Sequence, residues 1–582
     1  MKQFYELPKA LTEESKRKWD AFKSSAEAAA IQPPQDPKIL STLHRVFALS
    51  DFVAESCIRN PSLLHDLIES GDLQRQYSVK DYTKSLKHVL ADVIDENTLS
   101  CALRQYRCRQ MVRIAWRDLA GWAGLSETVA DLSAFADACL EQSLALLYHW
   151  QCEEHGIPEA ADGSKQQLVI LGLGKLGARE LNFSSDVDLI FAYPQYGETR
   201  ATAKSLSNDD FFTRLCRQLI RVIGKPTPQG FVFRVDLRLR PFGQNGPLTM
   251  SFDAMEGYYQ EQGREWERYA LIKARVVAGD KAAGEQLLQR LHPFIYRRYL
   301  DYNAFESLRD MKQMISLEVK RKGMKNNIKL GPGGIREIEF FGQIFQLIRG
   351  GVLPALQDRR IQEVLKTLVR ENYITDKTCK QLADAYVFLR NTEHRLQQFS
   401  DQQTHDLPSA KLAKMRLAVS MGMVDSDRFD LSLEQHRKNV HAHFMMLLES
   451  GQTDGQDKKI EEQLHGIWQE LMGAQEANEI LSIVGYDQPQ EVLGLLNYLR
   501  NHLDTRELSQ TGRQRLDKLI PKVLKETGAS EQPLITLGRI IDLIKTIERR
   551  TSYLALLLEN PTVLSHVIKL SNASPWITSF LA

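Results

Sequence analysis

Two carboxylates one residue apart, Asp186 and Asp188, open the apolar run Val187-Asp188-Leu189-Ile190-Phe191. Strand side chains alternate between faces, so this spacing predicts that Asp186 and Asp188 project together while Val187, Leu189 and Phe191 point into a core. Neighbouring carboxylates repel unless a cation lies between them. Hard oxygen donors of this kind suit Mg2+, which takes one or two carboxylates together with phosphate oxygens and water. A third acid follows in Val232-Phe233-Arg234-Val235-Asp236-Leu237-Arg238-Leu239-Arg240. Read as part of a strand over Phe231 to Arg240, the segment carries Phe233, Val235, Leu237 and Leu239 on one face and Arg234, Asp236, Arg238 and Arg240 on the other. Three guanidiniums around one carboxylate make sense if Asp236 completes a metal-binding trio and the arginines meet phosphate oxygens in bidentate fashion.

Upstream, the strand-like run Gln167 to Leu171 ends in Gly172-Leu173-Gly174-Lys175-Leu176-Gly177. Gly172, Gly174 and Gly177 let the backbone approach a ligand closely and offer N–H groups at a helix start, where an anion is favoured. The same G-x-G-x-x-G spacing occurs in dinucleotide folds, but those place a single acidic residue about 20 positions on. Here a pair of aspartates follows within a dozen residues.

These segments need elements to position them, and the periodicity supplies them. Apolar residues at three- and four-residue spacing predict helices from about Leu40 to Trp150, as in Leu132, Phe135, Cys139, Leu140, Leu144 and Leu147. Strands are expected at Gln167–Gly172, Val187–Tyr193 and Phe231–Arg240, with a helix around Phe211 to Ile223 between the last two. The helical pattern returns from Ser251 to Leu448, interrupted at Lys329-Leu330-Gly331-Pro332-Gly333-Gly334, and the segment from Glu449 to Asp457 lacks any hydrophobic residue. The expected organisation is a helical region over 1–150, a catalytic core over 151–250, a helical domain completing the cleft over 251–448, a linker over 449–458 and a further helical domain over 459–582. The fold class is mainly α, with one α+β domain whose small mixed sheet is flanked by helical domains. Asn60-Pro61-Ser62-Leu63-Leu64 recurs as Asn560-Pro561-Thr562-Val563-Leu564, each after a short apolar helix, as if the chain were the front part of a duplicated protein.

Composition restricts the partners. The 582 residues hold 75 Lys+Arg against 74 Asp+Glu, so no overall field draws the chain to nucleic acid or an anionic membrane, and neither is expected as a partner. Hydrophobic residues at 43% and charged residues at 26% are ordinary globular values. The seven cysteines include no C-x-x-C pair, and no apolar run approaches the ~18 residues of a membrane span. Reduced thiols and a cytoplasmic location are expected.

Gly174, eleven residues, Asp186-x-Asp188 and the later Asp236 together resemble the nucleotidyltransferase superfamily that includes DNA polymerase β. More narrowly, GLGKLGARELNFSSDVDLIF, FRVDLRLRPFGQNGPL, WERYALIKARVVAGD and KLGPGGIREIEF are similar to the N-terminal half of the glutamine synthetase adenylyltransferase/adenylyl-removing enzymes, and the later helices to the connecting domain of that family. The resemblance implies a polymerase β-like domain that removes AMP from a tyrosine of adenylylated glutamine synthetase, with inorganic phosphate as nucleophile and ADP as product. It implies two Mg2+ held by Asp186, Asp188 and Asp236. Contacts to nucleotide and phosphate fall to Gly172, Gly174, Lys175, Ser185, Arg234, Arg238, Arg240, Lys273, Arg275 and Arg336. Many members of the superfamily carry Ser after the glycine, where this chain has Lys175, which would make a charged contact. Trp266-Glu267-Arg268 and Lys273-Ala274-Arg275 are expected on a helix, with surface charge as the competing role. No second G-x11-D-x-D occurs in the chain, so the adenylylating activity that uses ATP is not expected here. A PII signal protein is the regulatory partner implied. Two alternatives stay open: a transferase that uses a nucleoside triphosphate, and a nucleotide-sensing scaffold without turnover.

Overall fold

The computed structural model describes residues 7–200, 205–297, 326–449, 455–504, 509–547 and 550–576. Helices make up most of it. Their starts are written in the sequence: the Asp95 side chain accepts the Thr98 N–H at the head of Glu96–Leu119, and Ser207 accepts the Asp210 N–H at the head of Asn208–Gly224. The described residues up to Phe444 form one compact unit and those from Met445 onward a second. The first has a large buried cluster that draws on residues from Leu11 to Val419 and takes in the sheet; the second packs Leu464, Trp468, Leu516, Ile541 and Leu564 between helices. Among the described residues no helix is long and apolar enough to cross a membrane. All seven cysteines are free thiols.

Among the described residues, the first unit holds seven short strands: β1 (Ile157–Ala160), β2 (Val169–Gly172), β3 (Val187–Tyr193), β4 (Gly197–Arg200), β5 (Val235–Asp236), β6 (Thr249–Ser251) and β7 (Arg275–Gly279). β1 and β4 form a separate antiparallel ribbon. The main sheet runs β5-β3-β2-β7, and β6 also pairs with β3. β3 is antiparallel to β2 but parallel to β5 and β6, so the sheet is mixed, as expected. β3 is buried at every position except Asp188. Beyond the acid both faces are covered, which explains its unbroken apolar run.

Two local expectations are corrected. The strand expected over Phe231–Arg240 shrinks to Val235–Asp236. The Asp236 carboxylate captures the Arg238 N–H at 2.8 Å, and Arg240 N–H then bonds Leu237 O at 3.2 Å. That side-chain turn ends the ladder and breaks the expected alternation. The helix expected through Arg275 stops at Leu271, and Arg275 opens β7 with the β-branched pair Val276-Val277 behind it. The linker expected over 449–458 lies partly outside the described residues, and a helix begins at Gly455. The two Asn-Pro segments adopt the same local form: Asn60 (φ −138°, ψ 87°) and Asn560 (φ −119°, ψ 88°) each join a helix to one with Pro at its first position.

His394, on the helix Asp376–Ser400, is 1% exposed. Burial drives its pKa down to about 3, with Arg390 pushing the same way and Asp118 and Glu393 opposing. The folded pKa lies below the unfolded value of about 6.5. Its stabilising balance is therefore complete above pH ~6.5 and is lost as the pH falls, because the unfolded chain takes a proton that the folded one refuses. Between pH 7 and 5 the wild type should lose about 2 kcal/mol more than His394→Gln in urea unfolding. Parallel losses in the two proteins would show that His394 is not the titrating group.

Candidate active site

The site grows from the turn joining β2 to β3. Gly172 sits opposite Leu189, and the Leu173 N–H bonds the Asp188 carbonyl at 2.9 Å, which lays the glycine turn over Asp188. Gly174 has φ +54°, and a Cβ there would stand 2.5 Å from Asp188 Oδ2. Both facts demand glycine, so the backbone forms one wall of the carboxylate's pocket. On the other side β5 runs in parallel register with β3, placing Asp188 opposite Asp236. Asp186 lies just before β3.

Each outer acid is paired with an arginine from the same short segment. Arg234 Nε donates to Asp186 Oδ1 at 2.7 Å, and its other end bonds the Ser184 carbonyl. Arg238 donates to both oxygens of Asp236, Nε lying 3.0 Å from Oδ1 and 2.9 Å from Oδ2. Burial alone would raise the Asp236 carboxyl, but the hydrogen bonds and charge of Arg238 hold it below the usual carboxylate range. Asp188, between them, has no such partner: no described residue donates a hydrogen bond to its carboxylate. Burial first, then the charges of Asp236 and Asp186, push its pKa up to about 6 against the pull of Lys329 and Arg238.

This donor set fits a divalent cation. Among the described residues no three His, Cys, Asp or Glu side chains are gathered closely enough to ligate an ion as they stand, because Asp186 and Asp236 are turned onto their arginines. Yet three hard-oxygen side chains adjoin, the middle one is unpartnered and its charge is penalised, and a glycine cradle faces its free oxygen. A cation supplies what that carboxylate lacks.

Lys175 Nζ bonds Glu393 Oε1 at 2.8 Å, and burial pushes its ammonium down to about 7, with Glu393 pulling it back up and Arg390 and Lys329 pressing it further down. Ser185 is half-buried in the turn before Asp186, its N–H on Asn182 O at 3.4 Å. The remaining basic candidates make no hydrogen bond or ion pair with the three acids. Arg240 braces its own loop through the carbonyls of Leu237, Gln244 and Pro247. Lys273 Nζ is buried on Glu339 at 2.7 Å. Arg275 grips Asp137 with two nitrogens, at 2.8 and 3.0 Å, and the carbonyls of Leu176 and Gly177, clamping β7 to the glycine turn. The Arg336 guanidinium lies over the rings of Phe340 (4.8 Å) and Tyr269 (5.5 Å). Arg268, expected beside them, is fully buried on the carbonyls of Ile295 and Leu347.

The sequence reading missed three neighbours. Gln403 Nε2 donates to Asp186 Oδ2 at 3.1 Å, Glu393 is the buried partner of Lys175, and Lys329 faces Asp188 electrostatically. Lys329 at least sits in an interrupted, glycine-rich segment. Glu393 and Gln403 lie on an ordinary amphipathic helix and the loop after it, where no spacing marks them.

Comparison with known proteins adds lineage to this geometry. Residues 40–290 match the family described as glutamate-ammonia ligase adenylyltransferase, and residues 309–448 match the family described as GlnD PII-uridylyltransferase. The chain is 50% identical to the bifunctional glutamine synthetase adenylyltransferase/adenylyl-removing enzyme of Nitrosococcus oceani, over 98% of this chain and 59% of that protein. It is 46% identical to the same-named protein of Thioalkalivibrio sulfidiphilus (99% and 59%) and 43% identical to that of Pseudomonas aeruginosa (99% and 60%). The chain thus spans about three fifths of the length of the curated relatives it matches.

Proposed function

The chain belongs to the glutamine synthetase adenylyltransferase/adenylyl-removing enzyme family, and on that premise we propose that its Asp186–Asp188–Asp236 site removes AMP from an adenylylated tyrosine of glutamine synthetase by phosphorolysis, yielding tyrosine and ADP. The observation that carries this reading is the unpartnered Asp188 carboxylate, held between two further acids and against Gly174. Residues 151–250 act as the catalytic core in this reading, 251–448 complete the cleft, and 459–582 form a connecting, regulatory domain. A PII signal protein as regulator is part of the same proposal, in keeping with the match of 309–448.

Both reactants are anionic, so their mutual repulsion is the first barrier, and positioning with charge neutralisation is the main task. Asp186, Asp188 and Asp236 would hold the Mg2+, two ions in this reading, which when bound neutralises phosphoryl oxygens and stabilises the departing tyrosyl oxygen. Arg234 and Arg238 now occupy the outer acids. Were those acids to hold a cation, Arg234 and Arg238 would be free to offer bidentate bonds to phosphate oxygens. Gly174 lets the chain pass the site without a side chain in the way.

Incubation with adenylylated glutamine synthetase, Mg2+ and phosphate should give ADP and unmodified synthetase, and nothing when phosphate is omitted. Pyrophosphate released from ATP and unmodified synthetase would instead support the triphosphate-using alternative. Arg238→Ala should raise the KM for phosphate or for the adenylylated substrate by about tenfold, the worth of one charge-assisted bond. Because Arg238 is 68% exposed in its ion pair, it should cost less than about 1 kcal/mol in stability. Unchanged kinetics would remove Arg238 from the site.

A further inference from the structure

A second cluster of charge lies next to the acids, and its polarity is opposite. Its anchor is Glu393, which has no exposed surface. One of its oxygens, Oε1, takes Lys175 Nζ at 2.8 Å. His405 Nδ1 approaches the same oxygen at 2.9 Å, within ion-pair distance although its N–H is not aligned for a hydrogen bond. The other oxygen, Oε2, has no hydrogen bond, and Arg390 Nε stands 3.6 Å from it. Arg390 also bonds Glu180 O and Asn182 Oδ1 through its far nitrogen, and the nearby Glu180 carboxylate accepts the Tyr386 hydroxyl at 3.0 Å.

Two stitched loops complete the cluster. The Ile328 N–H bonds His405 O at 2.9 Å, and Asn327 Nδ2 donates to Asp406 Oδ1 at 2.9 Å. Asn327 Oδ1 in turn accepts the N–H groups of Lys329 and Leu330 at 3.0 and 2.9 Å, and the Arg336 N–H bonds Lys329 O at 3.0 Å. The Lys329 backbone is thus pinned on both sides. Its ammonium makes no hydrogen bond or ion pair with any described residue, while its field reaches both Asp188 and Lys175. The bond from the Ile328 N–H to His405 O sets Lys329 next to the segment that carries His405 to Glu393.

We propose that Lys175 and His405, paired on Glu393, and the adjoining Lys329 form the seat for the inorganic phosphate that attacks the adenylyl group. The inference rests on the phosphorolytic reading above and gives the nucleophile a place in it. The Glu393 carboxylate is approached by the Lys175 ammonium, the His405 ring and the Arg390 guanidinium, and Glu180 and Glu339 are the other acids acting on Arg390. Lys329 adds a cation with no acid of its own among the described residues, a charge that a phosphate dianion neutralises. Lys175 directly follows Gly174, whose backbone walls the Asp188 carboxylate, so the dianion is held beside the acids. Glu393 acts here as a positioning residue: it fixes Lys175 and His405 side by side and would touch no phosphate itself.

The test is equilibrium dialysis of radiolabelled inorganic phosphate against the full chain with Mg2+, comparing wild type with Lys329→Met and His405→Ala, together with phosphate-dependent kinetics on adenylylated glutamine synthetase. Each variant should weaken phosphate binding by at least about tenfold, as expected for a lost charged contact. Each should also raise the KM for phosphate with the KM for adenylylated synthetase unchanged. Lys329→Met, whose side chain holds nothing in the fold, should melt like wild type. Undiminished phosphate binding in Lys329→Met, or no phosphate binding by the wild type, would overturn the seat. Deadenylylation with an unaltered phosphate KM in both variants would also overturn it, while leaving the phosphorolytic reading intact. Phosphate binding that is lost in the variants, in a chain that removes no AMP, would keep the seat and overturn the phosphorolytic reading instead.

Discussion

Asp188→Asn should lower the rate of AMP removal by at least about a hundredfold while leaving the folded chain intact. Changing even the hydrogen-bond partners of metal ligands typically costs about 10–100-fold, and Asp188 is the central acid of the three. The two consequences of the substitution separate cleanly. Asparagine keeps the shape of the side chain, so the contact with Gly174 survives. The charge it removes is one that burial, Asp236 and Asp186 all disfavour, so the metal-free variant should melt no lower than wild type at neutral pH. Asp186→Asn should share the kinetic defect. Retention of full activity in Asp188→Asn, with Mg2+ present and the fold verified, would end the argument for the acid site.

Gly177→Ala should cost at least about 3 kcal/mol of stability, at the upper end of the usual range for forcing atoms into a packed site. A Cβ at Gly177 would lie 1.9 Å from Lys273 O and 2.6 Å from Gly172 O. Both are backbone atoms and cannot swing aside as a side-chain tip would. The Gly177 carbonyl is also held by Arg275, itself locked on Asp137. Relief of the clash must therefore move the glycine turn away from β7 and disturb the wall behind Asp188. Gly257→Ala, in the helix Phe252–Glu261, is the internal control: nothing lies within 4 Å of a Cβ there. That change should be neutral or stabilising by up to about 1 kcal/mol. Similar unfolding midpoints for the two alanine variants would refute the steric account.

The chemistry was more legible in the sequence than its supports were. The bounds of β3 follow directly from Val187 to Tyr193, because an apolar run after an acid pair has one sensible reading. The helix over Asn208–Gly224 shows in its spacing and its Ser207 cap. The segment after Phe233 misleads because a two-residue alternation describes faces only if the ladder continues. Here β6 takes the later part of β3, while Asp236 turns its own chain back through Arg238. Alternation also cannot say what each arginine meets. Arg234 and Arg238 reach the acids, whereas Arg240 folds back on its loop and Arg275 clamps the glycine turn. Such roles depend on residues distant in sequence: Asp137 for Arg275, Glu339 for Lys273 and Glu393 for Lys175. A Glu-His-Arg triplet on a helix gives no hint that its glutamate is the buried anchor of a lysine 218 residues away.

The most direct measurement follows a labelled phosphorus atom. The purified chain, adenylylated glutamine synthetase, Mg2+ and 32P-phosphate should together yield ADP labelled in its β-phosphate, in step with the return of unmodified tyrosine, and Asp188→Asn should yield none. Unlabelled AMP as the released product, or labelled ADP formed equally by Asp188→Asn, would contradict phosphorolysis at the three acids.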